Sequence, residues 1–356
     1  MLISATVWEA LVGADVMAVP IDADHVELRH ESQRVAVRVL ASSRSLNPSD
    51  ISSLVDQHWE PVLLIVPSAT PAAREIAERA GWSWLVEDGP HVVGLLQIFG
   101  HRVQVDVGAP TEAGRGRRGR RGPVPWGTLT LVRRLLDRSS ATQRELATWA
   151  RVSQPRVSQI LASLADCRLV TRTASGWQVC DFDQLLRWWL EAYRGPDGIS
   201  TLWYGLDQPR EQAWAVIRQL QDKATGAPAL RGDGTPAVVS GDVAADFIAP
   251  WRTPTRAVVY ARTGADLTEM GLTPAGGEEA TLELIVPRDP GVWPLMPTPQ
   301  SESGASDGAA SMPLADPLQI LWDVRRSPGS DTDEAVARLW RALRDRSRAL
   351  GEGHAA

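Results

Sequence analysis

The sequence predicts a multidomain α+β protein, and three observations support this fold class. Residues 1–108 alternate short strand and helix patterns, residues 127–180 combine helical patterns with a hairpin pattern, and residues 225–352 again mix strands with helices. A chain of 356 residues is long enough to bury two or three hydrophobic cores. Its hydrophobic fraction of 44% and charged fraction of 22% are ordinary for globular proteins.

The first predicted domain, residues 1–108, is an α/β unit with a mixed sheet. Residues 25–30 alternate polar and apolar side chains, as half-buried strands do, whereas residues 61–67 are a continuous apolar run typical of a strand covered on both faces. A helix is expected next, because Thr70 can cap it and Pro71 suits its first position. The other predicted elements are a helix at 48–57 and strands at 34–40, 82–86, 91–99 and 102–107.

The rest of the chain divides by composition. Residues 109–126 (APTEAGRGRRGRRGPVPW) are predicted to be a linker, because Gly, Pro and Arg cannot build a core. Residues 181–224 are predicted to be a helical connector, and residues 225–352 a C-terminal α+β domain. Within this domain, the low-complexity stretch 298–313 predicts a disordered loop.

A strong positive charge is concentrated between residues 115 and 172. This segment has thirteen arginines and only three acidic residues, although the formal net charge of the chain is −6. Lys223 is the only lysine, so the abundance of arginine alone indicates little; its clustering is the informative feature. Such an asymmetry indicates that one part of the chain meets a polyanion.

Residues 127–180, which overlap this charged segment, have the pattern of a winged helix-turn-helix. Thr142 and Glu145 form a capping box at the start of the second helix, and Ser153 is a suitable N-cap for the third. An apolar stripe at helical spacing follows on the third helix: Val157, Ile160, Leu161 and Leu164. Residues 169–179 then predict the wing, a hairpin whose turn contains Gly176.

The face opposite the apolar stripe suits a DNA major groove. It carries small or hydrogen-bonding residues: Pro155, Arg156, Ser158, Gln159, Ala162 and Ser163. One arginine can form two hydrogen bonds to a guanine, and one glutamine can do the same with an adenine. The first turn of a recognition helix is the part nearest the bases. The predicted DNA contacts of this region are Thr142, Gln143, Ser153, Gln154, Pro155, Arg156, Ser158, Gln159 and, as a phosphate contact, Arg172.

The linker supplies a second set of predicted DNA contacts: Arg115, Arg117, Arg118, Arg120 and Arg121. An extended Arg/Gly arm can enter a narrow minor groove. The tract lacks the Arg-Gly-Arg-Pro core of an AT-hook, which favours the alternative of a soluble linker with non-specific attraction to phosphates.

The order of segments resembles the AbiEi-type antitoxin and transcriptional-regulator proteins of bacteria. Three stretches carry the resemblance, together covering most of the chain: residues 61–89, residues 142–193 including DFDQLLRWWLEAY, and the C-terminal stretches VVSGDVAADFIAP, RAVVYA and DPLQILWDVRRSPGSDTDEAVARLW. The resemblance implies a DNA-binding repressor, in some systems the antitoxin of a nucleotidyltransferase toxin. Two features differ: Val86–Pro90 stands where the family has Asp-Leu-x-Gly-Asn, and the long Arg linker is atypical.

The N-terminal domain also resembles a degenerate restriction-endonuclease fold. An active nuclease of this kind needs one acidic residue and then acid-x-Lys on adjacent strands, to hold Mg²⁺ and activate water. The strand at 34–40 offers no carboxylate, and although Asp22 and Asp24 could replace one acid, nothing completes the set. Nucleotide-binding and serine-hydrolase motifs are also missing from the sequence. We therefore expect no catalytic residues, no metal site and no cofactor.

These patterns together predict a sequence-specific, double-stranded-DNA-binding transcriptional regulator, a repressor without enzymatic activity. One alternative is the antitoxin of a type IV-like toxin–antitoxin pair, which would bind a nucleotidyltransferase toxin; another is a DNA-processing nuclease. The sequence leaves open whether the protein forms a homodimer and whether a toxin or another protein binds it. We expect a cytoplasmic protein without membrane contact, because a signal-peptide pattern and an apolar run of 18 residues are both missing.

Overall fold

The computed structural model has a mixed α+β fold and describes residues 3–108, 124–138, 140–224, 235–294 and 312–352. The helices are α1 (Ala5–Gly13), α2 (Pro48–Gln57), α3 (Pro71–Arg79), α4 (Trp126–Asp137), α5 (Gln143–Ala150), α6 (Gln154–Asp166), α7 (Phe182–Ala192), α8 (Pro209–Ala224), α9 (Gly241–Ile248), α10 (Pro317–Arg326) and α11 (Thr332–Glu352). Within these ranges, none of the helices combines the length and the apolar composition that crossing a membrane requires.

Strands alternate with these helices along most of the chain. They are β1 (Met17–Pro20), β2 (His25–His30), β3 (Gln33–Ala41), β4 (Val62–Val66), β5 (Ser83–Asp88), β6 (His91–Ile98), β7 (His101–Val107), β8 (Ser140–Ala141), β9 (Val170–Thr173), β10 (Gly176–Val179), β11 (Ile199–Tyr204), β12 (Ala237–Ser240), β13 (Ala257–Ala261), β14 (Thr273–Pro274) and β15 (Leu282–Val286). The helices and strands predicted between residues 25 and 107 all form close to their predicted positions.

The chain forms two compact units, each assembled from three stretches. Unit 1 contains Met1–Arg118, Asp197–Ala237 and Thr255–Arg288; unit 2 contains Gly119–Pro196, Val238–Pro254 and Asp289–Ala356. The predicted C-terminal domain, residues 225–352, is therefore divided between the two units instead of forming one of its own. This division follows from strand pairing. β11 pairs with β15, which is far away in sequence, so residues 197–237 and 255–288 belong to the same unit.

Unit 1 is built on a seven-stranded mixed sheet whose strands follow in chain order from β1 to β7. β3, β4 and β5 pair in parallel, and the other neighbours pair antiparallel. β4 is buried on both faces, as predicted: Leu63 and Ile65 enter one core, and Val62, Leu64 and Val66 enter another. The same unit contains a smaller sheet in which β13, β15, β11 and β14 are successive neighbours.

Unit 2 is organised around α4. Every residue from Leu129 to Leu136 is buried, and α4 contacts α5, α7 and α11. A three-stranded sheet of order β8–β10–β9 belongs to the same unit. Of the predicted disordered loop 298–313, only the last two residues are described: Met312 is buried, and the Pro313 carbonyl accepts a hydrogen bond from the Val239 N–H at 2.8 Å.

Candidate nucleic-acid interface

The candidate interface lies in residues 126–179 of unit 2, which we call the basic module. It contains α4, α5, α6 and the β8–β10–β9 sheet. The predicted capping box is confirmed: the Thr142 N–H donates to Glu145 Oε2 at 2.8 Å, and the Glu145 N–H donates to Thr142 Oγ1 at 3.3 Å. Arg151 adopts a left-handed conformation (φ 52°) after α5, so the chain turns directly into α6.

α6 has one buried and one exposed face, in the predicted arrangement. The apolar stripe is buried, with Val157 and Leu161 both 0% exposed. The exposed residues of α6 are Gln154, Pro155, Arg156, Ser158, Gln159, Ala162, Ser163 and Asp166. Ser153 occupies the N-cap position as predicted, but its side chain makes no capping hydrogen bond. Its hydroxyl therefore remains outside the helix cap, where it can meet a ligand.

Two of the predicted base-contacting residues bind each other. Arg156 Nη1 donates to Gln159 Oε1 at 3.2 Å across one turn of α6. This contact holds both long side chains over the exposed face, which lowers the entropy that is lost when a ligand fixes them. A glutamine that forms two hydrogen bonds to adenine uses both its side-chain oxygen and its nitrogen. Gln159 could recognise adenine in this way only if its contact with Arg156 rearranged.

The hairpin of β9 and β10 depends on Gly176. This residue has φ 129°, and a Cβ built there would lie 2.6 Å from the Ala141 carbonyl oxygen of β8. The close approach fixes the hairpin against the start of α5. Arg172 lies opposite Trp177 in this hairpin and is exposed, as a phosphate contact must be.

The thirteen arginines between residues 115 and 172 fall into three groups. The five linker arginines, Arg115, Arg117, Arg118, Arg120 and Arg121, lie outside the described residues. Arg133 and Arg134 on α4 are buried and cannot face a polyanion, so the positive charge of this segment is not all surface charge. Five of the remaining arginines are exposed and one, Arg138, is half-buried; the exposed ones are Arg144, Arg151, Arg156, Arg168 and Arg172.

Residues 140–179 contain two acidic residues, Glu145 and Asp166. The module therefore keeps an excess of positive charge at its surface.

Arg133 is the centre of a buried polar network. Its Nη1 donates to the Gly291 carbonyl at 2.8 Å and to Asp316 Oδ1 at 2.9 Å; its Nη2 donates to Asp289 Oδ2 at 3.2 Å and to Gln319 Oε1 at 3.1 Å. The Tyr193 hydroxyl donates to the same Asp289 oxygen at 2.8 Å. Burial acts to lower the pKa of Arg133, but attraction to Asp316 and Asp289 outweighs it and raises the pKa.

Sequence reasoning missed this network and one surface cluster. His30, Glu31 and His101 each offer one ligand atom, and these atoms lie within 4.8 Å of one another at the ends of two hairpins. Imidazole and carboxylate are ligand types that zinc accepts. His101 is far in sequence from the adjacent His30 and Glu31, so no metal-binding spacing could reveal the cluster. The two acids weighed for a nuclease are already engaged: Asp22 contacts His25 Nδ1 at 2.8 Å, and Asp24 forms an ion pair with Arg288.

The basic module thus joins an exposed, hydrogen-bonding helix face to an exposed hairpin arginine and a positively charged surface. Comparison of the chain with protein-family models, with curated proteins and with solved structures gave no match.

Proposed function

We propose that this protein is a sequence-specific, double-stranded-DNA-binding regulator and that the basic module is its winged helix-turn-helix. In this proposal α6 is the recognition helix, the β9–β10 hairpin is the wing, and the protein represses transcription from the sites it occupies. The seven-stranded unit is proposed to be a degenerate endonuclease-like domain that does not act on DNA chemically.

The observation that carries the proposal is the two-sided character of α6. Its apolar stripe is fully used inside unit 2, so the helix needs no partner to bury apolar surface. Its other face offers Arg156, Gln159 and Ser158, all exposed and all able to bond base edges. With thirteen residues α6 is ~20 Å long, and a helix of this diameter fits the ~12 Å major groove.

The surrounding charge supports the same function. Five exposed arginines of residues 140–179 can each neutralise a phosphate, and the carboxylate of Glu145 is already bonded to the Thr142 backbone. Each neutralised phosphate makes the logarithm of the binding constant fall by ~0.9 per decade of salt. The proposal therefore predicts duplex binding that weakens steeply as salt increases.

The test is selection of bound duplexes from a random-sequence library, followed by titration of the selected duplex at several salt concentrations. We expect one enriched sequence and a salt slope that corresponds to several phosphates. Arg187→Ala is the matched control, because Arg187 is an exposed arginine on α7 outside the module. This variant should bind as the wild-type protein does. Failure to enrich any duplex, or binding that does not respond to salt, would contradict the proposal.

A further inference from the structure

Arg134 is a buried cation that the protein leaves poorly compensated. Its side chain is 5% exposed, and its nearest charged partner, Asp316 Oδ2, lies 3.7 Å from Nη1, beyond hydrogen-bonding range. Its Nε is buried and has no hydrogen-bond partner among the residues that the structure describes. A guanidinium has five N–H donors, and buried donors are nearly always satisfied. Burial lowers the pKa of Arg134, as expected where the environment disfavours the charged form.

The neighbouring arginine uses the available acids. Asp316 Oδ1 already accepts hydrogen bonds from Arg133 at 2.9 Å and from the Leu318 N–H at 3.1 Å. Asp289 accepts hydrogen bonds from Arg133 and from the Tyr193 hydroxyl. These contacts orient Asp316 toward Arg133. The charge of Arg134 is therefore only partly balanced by the carboxylate that lies closest to it.

Arg134 lines a cavity between α4 and α11. The cavity has a volume of about 40 Å³, and its charged lining comprises Arg133, Arg134, Asp137, Asp316 and Arg346, with Phe182, Leu343 and Ser347 among the other walls. One water needs roughly 10–15 Å³ by the same kind of measure, so the space suits a few waters or one group of several heavy atoms. Water would satisfy the N–H donors of Arg134, but an anion would also balance its charge.

Arg346 and Ser347 supply further hydrogen-bond donors in the cavity wall, and the three arginines of the lining outnumber its two carboxylates. Arg346 is partly exposed at 32% and lies 3.6 Å from Asp137 Oδ1, a loose ion pair that leaves its remaining donors available. Ser347 adds a hydroxyl on the next residue of α11. Burial raises the pKa of Asp137, because the carboxylate is partly removed from water.

We propose that this cavity binds a small oxyanion, a carboxylate or a phosphate group, through Arg134, with Arg346 and Ser347 as further donors. Guanidinium groups bind both anions in the same forked geometry. The ligand would connect α4, the central helix of the basic module, to α11. Regulation of DNA binding by this ligand would rest on the proposed function, but anion binding itself does not.

The experiment uses the full chain without DNA. Inorganic phosphate and acetate are titrated separately by calorimetry at constant ionic strength, with chloride as the reference anion. We expect saturable binding of at least one of them, and a rise in the melting temperature under the same conditions. Phosphate alone would assign a phosphate group, and acetate alone a carboxylate.

Two variants test the site and one controls for charge. Arg134→Leu should weaken anion binding at least about tenfold, because at least one charge-assisted hydrogen bond is lost. Arg346→Ala, at the partly exposed edge, should weaken it several-fold without disturbing the fold. Arg341→Ala removes an exposed arginine from the same helix and should leave binding unchanged.

Two results would overturn the proposal. One is no saturable binding of either anion, which would mean that water alone fills the cavity. The other is equal binding by the wild-type protein, Arg134→Leu and Arg346→Ala, which would mean adventitious ion binding only. Because no DNA is present, either result leaves the proposed function of α6 untouched.

Discussion

α4 and α6 use the same residue type for opposite purposes. Arg133 on α4 is completely enclosed, stacks over the Trp189 ring at 4.6 Å, and binds two carboxylates of the same unit. Arg156 on α6 is exposed and donates a hydrogen bond to Gln159 on its own helix. Both helices belong to one basic module and to one cluster of arginines in the sequence.

The difference teaches that a charge count does not measure a binding surface. A guanidinium that is desolvated and paired inside the protein contributes nothing to the attraction of a polyanion, whereas one held in solvent does. The burial of each arginine therefore decides its role. Removal of a buried arginine should therefore lower stability, whereas removal of an exposed one should weaken DNA binding.

The largest effect is expected for Arg133→Ala. This change leaves Asp289 and Asp316 buried without their main countercharge, and breaking a buried ion pair in this way costs about 3–5 kcal/mol. Unfolding in urea, followed by circular dichroism, measures the change. The control is Arg172→Ala, an exposed arginine whose removal should change the stability by less than about 0.5 kcal/mol. Equal losses in both variants would remove the distinction between α4 and the exposed arginines.

Gly176→Ala should have the next largest effect. The left-handed backbone at this residue disfavours a side chain, and the new Cβ would lie 2.6 Å from the Ala141 carbonyl. A loss of ~1–3 kcal/mol is expected. Gly100→Ala is the matched control, since Gly100 also has positive φ but no atom of the described residues lies within 4 Å of its Cβ position. If the two variants lose the same stability, the close packing of the hairpin on β8 is not a stabilising feature.

Arg172→Ala should weaken DNA binding without changing sequence preference. The proposed function makes Arg172 a phosphate contact, so affinity for selected and scrambled duplexes should fall alike, and the salt slope should decrease by ~1. Fluorescence anisotropy at three salt concentrations measures both quantities. A change in the ratio of the two affinities would show instead that this side chain takes part in reading the bases.

The smallest effect concerns the capping box and pH. Hydrogen bonds from the Thr142 backbone and hydroxyl lower the pKa of Glu145. The stabilisation is therefore full above the ordinary glutamate pKa and is lost as the pH falls through the lowered pKa. Glu145→Gln should be less stable than the wild-type protein at neutral pH, and the gap should narrow in mild acid. A gap that widens in acid would contradict the assigned sign.

Local patterns predicted much of the fold. β4 is an example, since an apolar run bounded by prolines has few outcomes other than a strand buried on both faces. α1 and β11 were missed, because α1 is apolar on most sides and lacks a clear stripe, and β11 is defined by its pairing with β15. The division into units depends on such long-range pairs, which no local window contains.

The candidate site was predictable for a similar reason. On α6, Val157 and Ile160 lie on the buried face, whereas Arg156 and Gln159 lie on the exposed face. The helical spacing that separates the two faces can be read from one short segment of sequence. The burial of Arg133 and Arg134 could not be predicted, because their acidic partners, Asp289 and Asp316, come from a distant stretch of the chain. Burial of a charge is a property of the assembled core.

The most direct test of the account compares the selected duplex with a scrambled duplex of equal composition, in the wild-type protein and in an Arg156→Ala/Gln159→Ala double variant. Each base contact of this kind supplies ~1–3 kcal/mol of discrimination. We therefore expect the ratio of the two dissociation constants to fall at least about tenfold in the double variant, while binding to the scrambled duplex changes little. A double variant that binds duplex DNA with an unchanged ratio would contradict the assignment of α6 as the helix that reads the bases.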